Sequence, residues 1–195
     1  MKGVYVLVPG LNDHALLIKL LYWLAAQRWR MAGMQVIVFS SNWESREGYS
    51  AKQKRLGELI ARHSKRGSVV LVGVSAGASL ATVAFKQHHA HALIGVSGLF
   101  KLAAQQWSPA ELNTAWHKAA AHCDAISDDL SAAEKRRIMT LTPHRDAVIN
   151  PRYARLEGVK NYHTRSNGHM GSIVEALLGR VGEIKRFVQE LPERS

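Results

Sequence analysis

The sequence predicts an α/β protein: a three-layer sandwich in which a mostly parallel sheet of about six strands carries helices on both faces. Three observations point there. Short runs of aliphatic and β-branched residues alternate with longer helical segments along the 195 residues. The first run is apolar at every position rather than at every second one, so both of its faces are expected to be buried. Most connections are short, as parallel strand–helix–strand units require.

Val4 to Val8 is the first strand. Pro9-Gly10-Leu11-Asn12 reads as a turn, and Asn12 or Asp13 can cap the next helix. That helix runs to about Met31, with Leu16, Leu17, Leu20, Leu21 and Leu24 at helical spacing as its core face, and Gly33 stops it. Gln35 to Phe39 is the second strand, Ser40 to Ser50 a polar loop, and Ala51 to His63 a basic helix. Ser68 to Gly73 is the third strand, and a helix-like run of small residues, Ala78 to Gln87, comes soon after. His91 to Val96, Arg137 to Leu141 and Val159 to His163 complete the strands, and a last helix spans about Gly171 to Glu190.

One interval breaks the alternation. About 40 residues separate Val96 from Arg137, more than a strand–helix loop needs. Ser108-Pro109-Ala110-Glu111 marks a helix start there, and two or three helices fit the segment. The chain is long enough for a single domain, 1–195, with 97–133 a helical crossover or cap; both readings of that segment stay open.

Between the third strand and its helix lies Gly73-Val74-Ser75-Ala76-Gly77. A strand, a sharp turn carrying a serine and a helix place the hydroxyl at the carboxyl end of a central strand. The glycines remove Cβ atoms that would clash in a strained turn. The N-terminal N–H groups of the helix favour negative charge developing at the same spot. This segment resembles the nucleophile elbow of the α/β-hydrolase family.

Two later loops extend the resemblance. Thr142-Pro143-His144-Arg145-Asp146-Ala147-Val148-Ile149-Asn150-Pro151 is similar to that family's acid loop, and Thr164-Arg165-Ser166-Asn167-Gly168-His169-Met170-Gly171 to its Gly-His loop before the last helix. The resemblance covers nearly the whole chain. It implies the α/β-hydrolase fold and a catalytic triad of Ser75, Asp146 and His169, in the family's order of nucleophile, acid and base. It implies an oxyanion hole from the N–H groups of Leu11 and Ala76. Many members have His-Gly where this chain has Pro9-Gly10. Relative to the full fold, the chain starts at the strand before the oxyanion loop, a compact layout similar to the small retinoblastoma-binding serine hydrolases.

The implied function is hydrolysis of a carboxylic ester through an acyl-enzyme, thioester or amide being further options. The alternative is a catalytically silent member of the fold that binds or regulates. No cofactor and no metal are expected. Ser97, in Gly95-Val96-Ser97-Gly98, is a strand-end turn and a candidate for the pocket lining. Asp124, Asp128 and Asp129 read as surface charges, and His144 and His163 as neighbours of the site. His88, His89 and His91 cluster, but a metal would need further ligands.

Composition bounds the rest. The single cysteine, Cys123, rules out an intrachain disulfide and fits a reducing compartment. The first ten residues lack the cleavage site of a signal peptide, and Asp13, His14, Lys19 and Arg28 interrupt the apolar stretch from Leu11 to Trp29, so no membrane span and a cytoplasmic location are expected. The net charge of +11 comes from short, scattered basic blocks that read as solvated faces. It suits an acyl ester substrate or a surface that is itself anionic, and specific nucleic-acid binding is not expected.

Overall fold

The computed structural model describes residues 3–102 and 114–192. Six parallel strands form one sheet in the order β2-β1-β3-β4-β5-β6. They are β1 (Gly3–Val8), β2 (Gln35–Val38), β3 (Ser68–Val74), β4 (Ala92–Val96), β5 (Ile138–Thr142) and β6 (Lys160–His163). The expected segment from Ser108 lies outside the described residues.

Both faces of the sheet are covered. Along β1, Val4, Val6 and Val8 enter one core and Tyr5 and Leu7 the other. The first core is closed by α2 (Tyr49–Ser64), α3 (Ala76–Gln87) and α4 (Ala115–Ser127), which contribute Leu56, Leu80 and Cys123. The second is closed by α1 (Leu16–Met31), α6 (His169–Val174), a π-helical turn (Glu175–Gly179) and α7 (Val181–Gln189). A short α5 (Ala132–Lys135) opens with a capping box between Ser131 and Glu134 and leads into β5. Strands β2 and β6 form the two edges of the sheet, and each is four residues long.

Three expectations are corrected. Four of the five leucines of α1 do not face the core; Leu21 packs against the second core, as expected. Tyr22, Ala25, Ala26 and Trp29 make the buried face, while Leu16, Leu17, Leu20 and Leu24 are exposed. Trp29 fixes this orientation: its ring meets Tyr5 edge-on at 5.5 Å, and its Nε1 donates to the carbonyl of Leu177 at 2.6 Å. Nor is α1 capped by Asn12 or Asp13; Ala15 holds the N-cap position without a side-chain bond. Asp13 instead accepts from the N–H groups of Asn42 and Trp43. The last helix, expected as one piece, is divided at Arg180, which has a non-helical backbone and binds Glu175 and Glu183.

Parallel register carries the carboxyl ends of the strands to one rim. Val8 is level with Gly73, Val74 with Val96, and Thr142 with His163. Strand order reverses between β1 and β3, so α1 and α3 leave these two strands toward opposite faces of the sheet.

Candidate active site

Ser75 is the junction between β3 and α3, with φ 52° and ψ −126°. That conformation is costly for any residue with a Cβ, and it persists because the surroundings over-determine it. The N–H of Ser75 donates to Val96, and its carbonyl accepts from Ala78 and Leu99. The motif glycines make room for helix against strand rather than for the serine itself. A Cβ at Gly73 would meet the Cα of Ala78 at 2.4 Å, and one at Gly77 the carbonyl oxygen of Val8 at 2.2 Å. The glycine that does face the serine is Gly10, where a Cβ would lie 2.8 Å from that of Ser75. The loop carrying Leu11 therefore runs against Ser75, and Ala76 follows it as the first residue of α3.

The structure brings Ser75, Asp146 and His169 together. His169 Nε2 lies 3.0 Å from Ser75 Oγ, and Nδ1 lies 2.8 Å from Asp146 Oδ2. The Asp146 carboxylate can only accept, so Nδ1 carries the proton and Nε2 is left to accept from the serine hydroxyl. The other oxygen of Asp146 accepts from the N–H groups of Val148 and Ile149. Both oxygens are thus occupied, and the side chain is 1% exposed. Such an arrangement can abstract a proton from Ser75 and return it to a leaving group.

Two sets of residues around these loops gave no sequence signal. On the side of the loop after β1, the carbonyl of Pro9 accepts from Trp43 Nε1 and Ser41 Oγ, and the N–H of Asn12 donates to Glu44. The polar loop that supplies these groups folds around the buried Lys52, whose Nζ donates to the carbonyls of Ser41 and Asn42 and to Ser45 Oγ. Arg55 grips the carboxylate of Glu47 with two nitrogens, at 2.7 and 2.8 Å.

On the histidine side, Glu175 accepts from the N–H groups of Arg165 and Ser166 and from Arg180 Nε. Burial works against the charge of Glu175, but these donors prevail and hold its pKa down at about 2. Beneath them, Ser172 Oγ is 3.0 Å from both Ser97 Oγ and Thr164 Oγ1, all three side chains being buried. Gly168, at φ 85°, precedes His169 and donates its N–H to Arg145, joining the two loops.

Other expected neighbours have separate roles. Ser97 is fully buried in that hydroxyl cluster. His144 and His163 stack on each other at 3.9 Å, and Arg155 lies beside His163. Burial, then Arg155 and His144, lower the pKa of His163. Asp124 binds the N–H of Leu102 and pairs with Lys101, which also holds Asp128. Cys123 is buried, and burial pushes its thiol up to about 12. An open groove of about 950 Å³ lies beyond β6, and no member of the Ser75–His169–Asp146 group lines it.

No protein-family model matches this chain, and no curated protein does. Solved structures do. A lipase-esterase related protein from Clostridium acetobutylicum superposes with a TM-score of 0.66 at 12% identity, over 95% of this chain and 94% of that one. An α/β serine hydrolase without lid from Xanthomonas campestris gives 0.64 at 13%, over 98% and 84%. An N-formylmaleamic acid deformylase from Pseudomonas putida gives 0.63 at 17%, over 94% and 92%. At such identities the likeness is one of fold, and the fold is that of the α/β-hydrolases.

Proposed function

We propose that this chain is a cytoplasmic serine hydrolase that cleaves a carboxylic ester through an acyl-enzyme. The observation that carries the reading is the unbroken relay from Asp146 through His169 to Ser75, placed where three strands end. Ser75 Oγ attacks the ester carbonyl while His169 Nε2 takes its proton. The N–H groups of Ala76 and Leu11 receive the negative charge on the carbonyl oxygen. The C–O bond to the alcohol then breaks, and His169 returns the proton to the departing oxygen. Water, deprotonated by the same nitrogen, attacks the acyl-enzyme and frees the acid and Ser75.

Asp146 keeps its role through geometry. It holds one tautomer of the imidazole and balances the charge that the ring acquires. An ester is favoured over an amide because an alkoxide departs more readily than an amine. Neighbours described as lipase-esterase related and as a serine hydrolase support the same class.

The test is labelling with a fluorophosphonate probe and turnover of a short-chain p-nitrophenyl ester. The intact protein is expected to be labelled and Ser75→Ala not. His169→Ala is expected to lower kcat by about 10⁴-fold or more. Equal labelling of Ser75→Ala would overturn the assignment, and a folded but inert protein would favour a binding role for the same fold.

A further inference from the structure

Helix α1 is apolar on both sides and covered by the described residues on only one. At about 100° per residue, Leu16, Leu17, Leu20, Trp23, Leu24 and Met31 fall within an outward arc of about 120°. Leu17 is 77% exposed and Trp23 56%. An amphipathic surface helix normally turns charged or polar residues outward. Here the outward stripe holds one neutral polar residue, Gln27, and has cations only at its margins, Lys19 and Arg30 on one side and Arg28 on the other, and α1 contains no acidic residue.

The stripe begins at the catalytic rim. The loop that leads into α1 carries Leu11, itself exposed, and Gly10 of that loop lies against Ser75. Further exposed apolar side chains stand on the other loops of the rim: Met170 beside His169, and Val148 two residues after Asp146. An apolar stripe edged with cations complements a layer that is apolar inside and anionic at its surface. A second copy of the chain is a poorer match, because a two-fold contact would set these cations against each other with no acid on the helix to offset them. With 16 residues, α1 is about 24 Å long, and no described helix is long and apolar enough to cross a membrane. The helix would lie in the headgroup region rather than span.

We propose that the outer face of α1 docks this protein on an anionic lipid bilayer, with the Ser75 rim turned toward the lipid. The docking needs no hydrolysis, so it is tested apart from the catalytic reading. Full-length Ser75→Ala protein is sedimented with vesicles of phosphatidylglycerol and of phosphatidylcholine. It should pellet with the first at least tenfold more tightly than with the second. Leu17→Glu with Leu20→Glu should weaken that binding at least tenfold. Both sites are exposed, so the pair should keep its near-ultraviolet circular dichroism and, on the Ser75 background, its fluorophosphonate labelling. Trp23→Phe should remove most of the vesicle-induced blue shift in tryptophan emission.

Failure to pellet with phosphatidylglycerol, or pelleting unaffected by the two glutamates, would overturn the proposal. Equal pelleting with phosphatidylcholine would overturn the choice of an anionic layer. A solution dimer that the two glutamates dissolve would hand the stripe to a second copy of the chain. Loss of labelling with vesicle binding intact would remove the catalytic reading and leave the docking standing.

Discussion

The serine side and the histidine side of the site are held by different forces. At the β3–α3 junction that carries Ser75 the restraints are neutral and steric: backbone hydrogen bonds, and glycines pressed against backbone at Gly73 and Gly77, the charges of Asp13, Glu44 and Lys52 acting on the neighbouring loops instead. Around His169 they are polar: a carboxylate gripping two N–H groups and an arginine, above a cluster of three hydroxyls. The first side should be indifferent to pH and intolerant of volume. The second should accept volume and respond to charge.

Substitutions can break that contrast, the largest effect first. Gly77→Ala drives a methyl group into the carbonyl oxygen of Val8, so strand and helix must separate. A loss of about 3 kcal/mol is expected. In a chain of this size that is about 6–12 °C in a thermal melt, equal at pH 4 and pH 7. Unequal losses would show that the serine side is not neutral.

Glu175→Gln should cost about 2 kcal/mol at pH 7, because a neutral amide holds Arg165, Ser166 and Arg180 less well. The sign of its pH dependence follows from the depressed pKa. The folded protein holds Glu175 near 2 against an ordinary 4.5. Its contribution is therefore complete above about pH 4.5 and lost as pH falls toward 2. Melting temperatures recorded from pH 7 to pH 3 should fall less steeply for Glu175→Gln than for the parent.

Ser172→Ala leaves Ser97 and Thr164 buried without their shared partner, at a cost of about 1–2 kcal/mol. Because α6 carries both Ser172 and His169, kcat for a p-nitrophenyl ester should fall more than KM rises. Gly168→Ala, the smallest change, tests the volume half of the contrast. Nothing lies within 4 Å of the added methyl group, so only the positive φ opposes it, at about 1 kcal/mol. A loss as large as that of Gly77→Ala would dissolve the distinction between the two sides.

The parts of this architecture that were legible in the sequence rest on local chemistry. β1, β3 and β4 are continuous apolar runs, and a strand buried on both faces has no other way to be written. That Ser75, Asp146 and His169 come together was legible because each sits in a short motif at a strand end. The outward leucines of α1 were misread for a physical reason. Periodicity finds an apolar face, but α1 has two, and the buried one is made by Ala25, Ala26, Tyr22 and Trp29. Only the contact of Trp29 with Tyr5 and Leu177, 148 residues away in the second case, decides between them. The same distance hid the supports of the site. Trp43 meets Pro9 across 34 residues, and Ser97 meets Ser172 across 75, and no spacing rule links such pairs. Glu175 is close to its partners in sequence but looks like any acidic residue in a helix.

The short edge strands have a consequence for the protein in a crowded solution. Each open edge presents a row of unpaired peptide groups that can template another chain. β2 and β6 offer only four residues apiece, and β6 carries Lys160. Strand addition would gain few ladder bonds at either side and would confront a charge at one of them. A fold with the rest of its sheet buried is in this way protected against fibrous self-association, the more so at a net charge of +11.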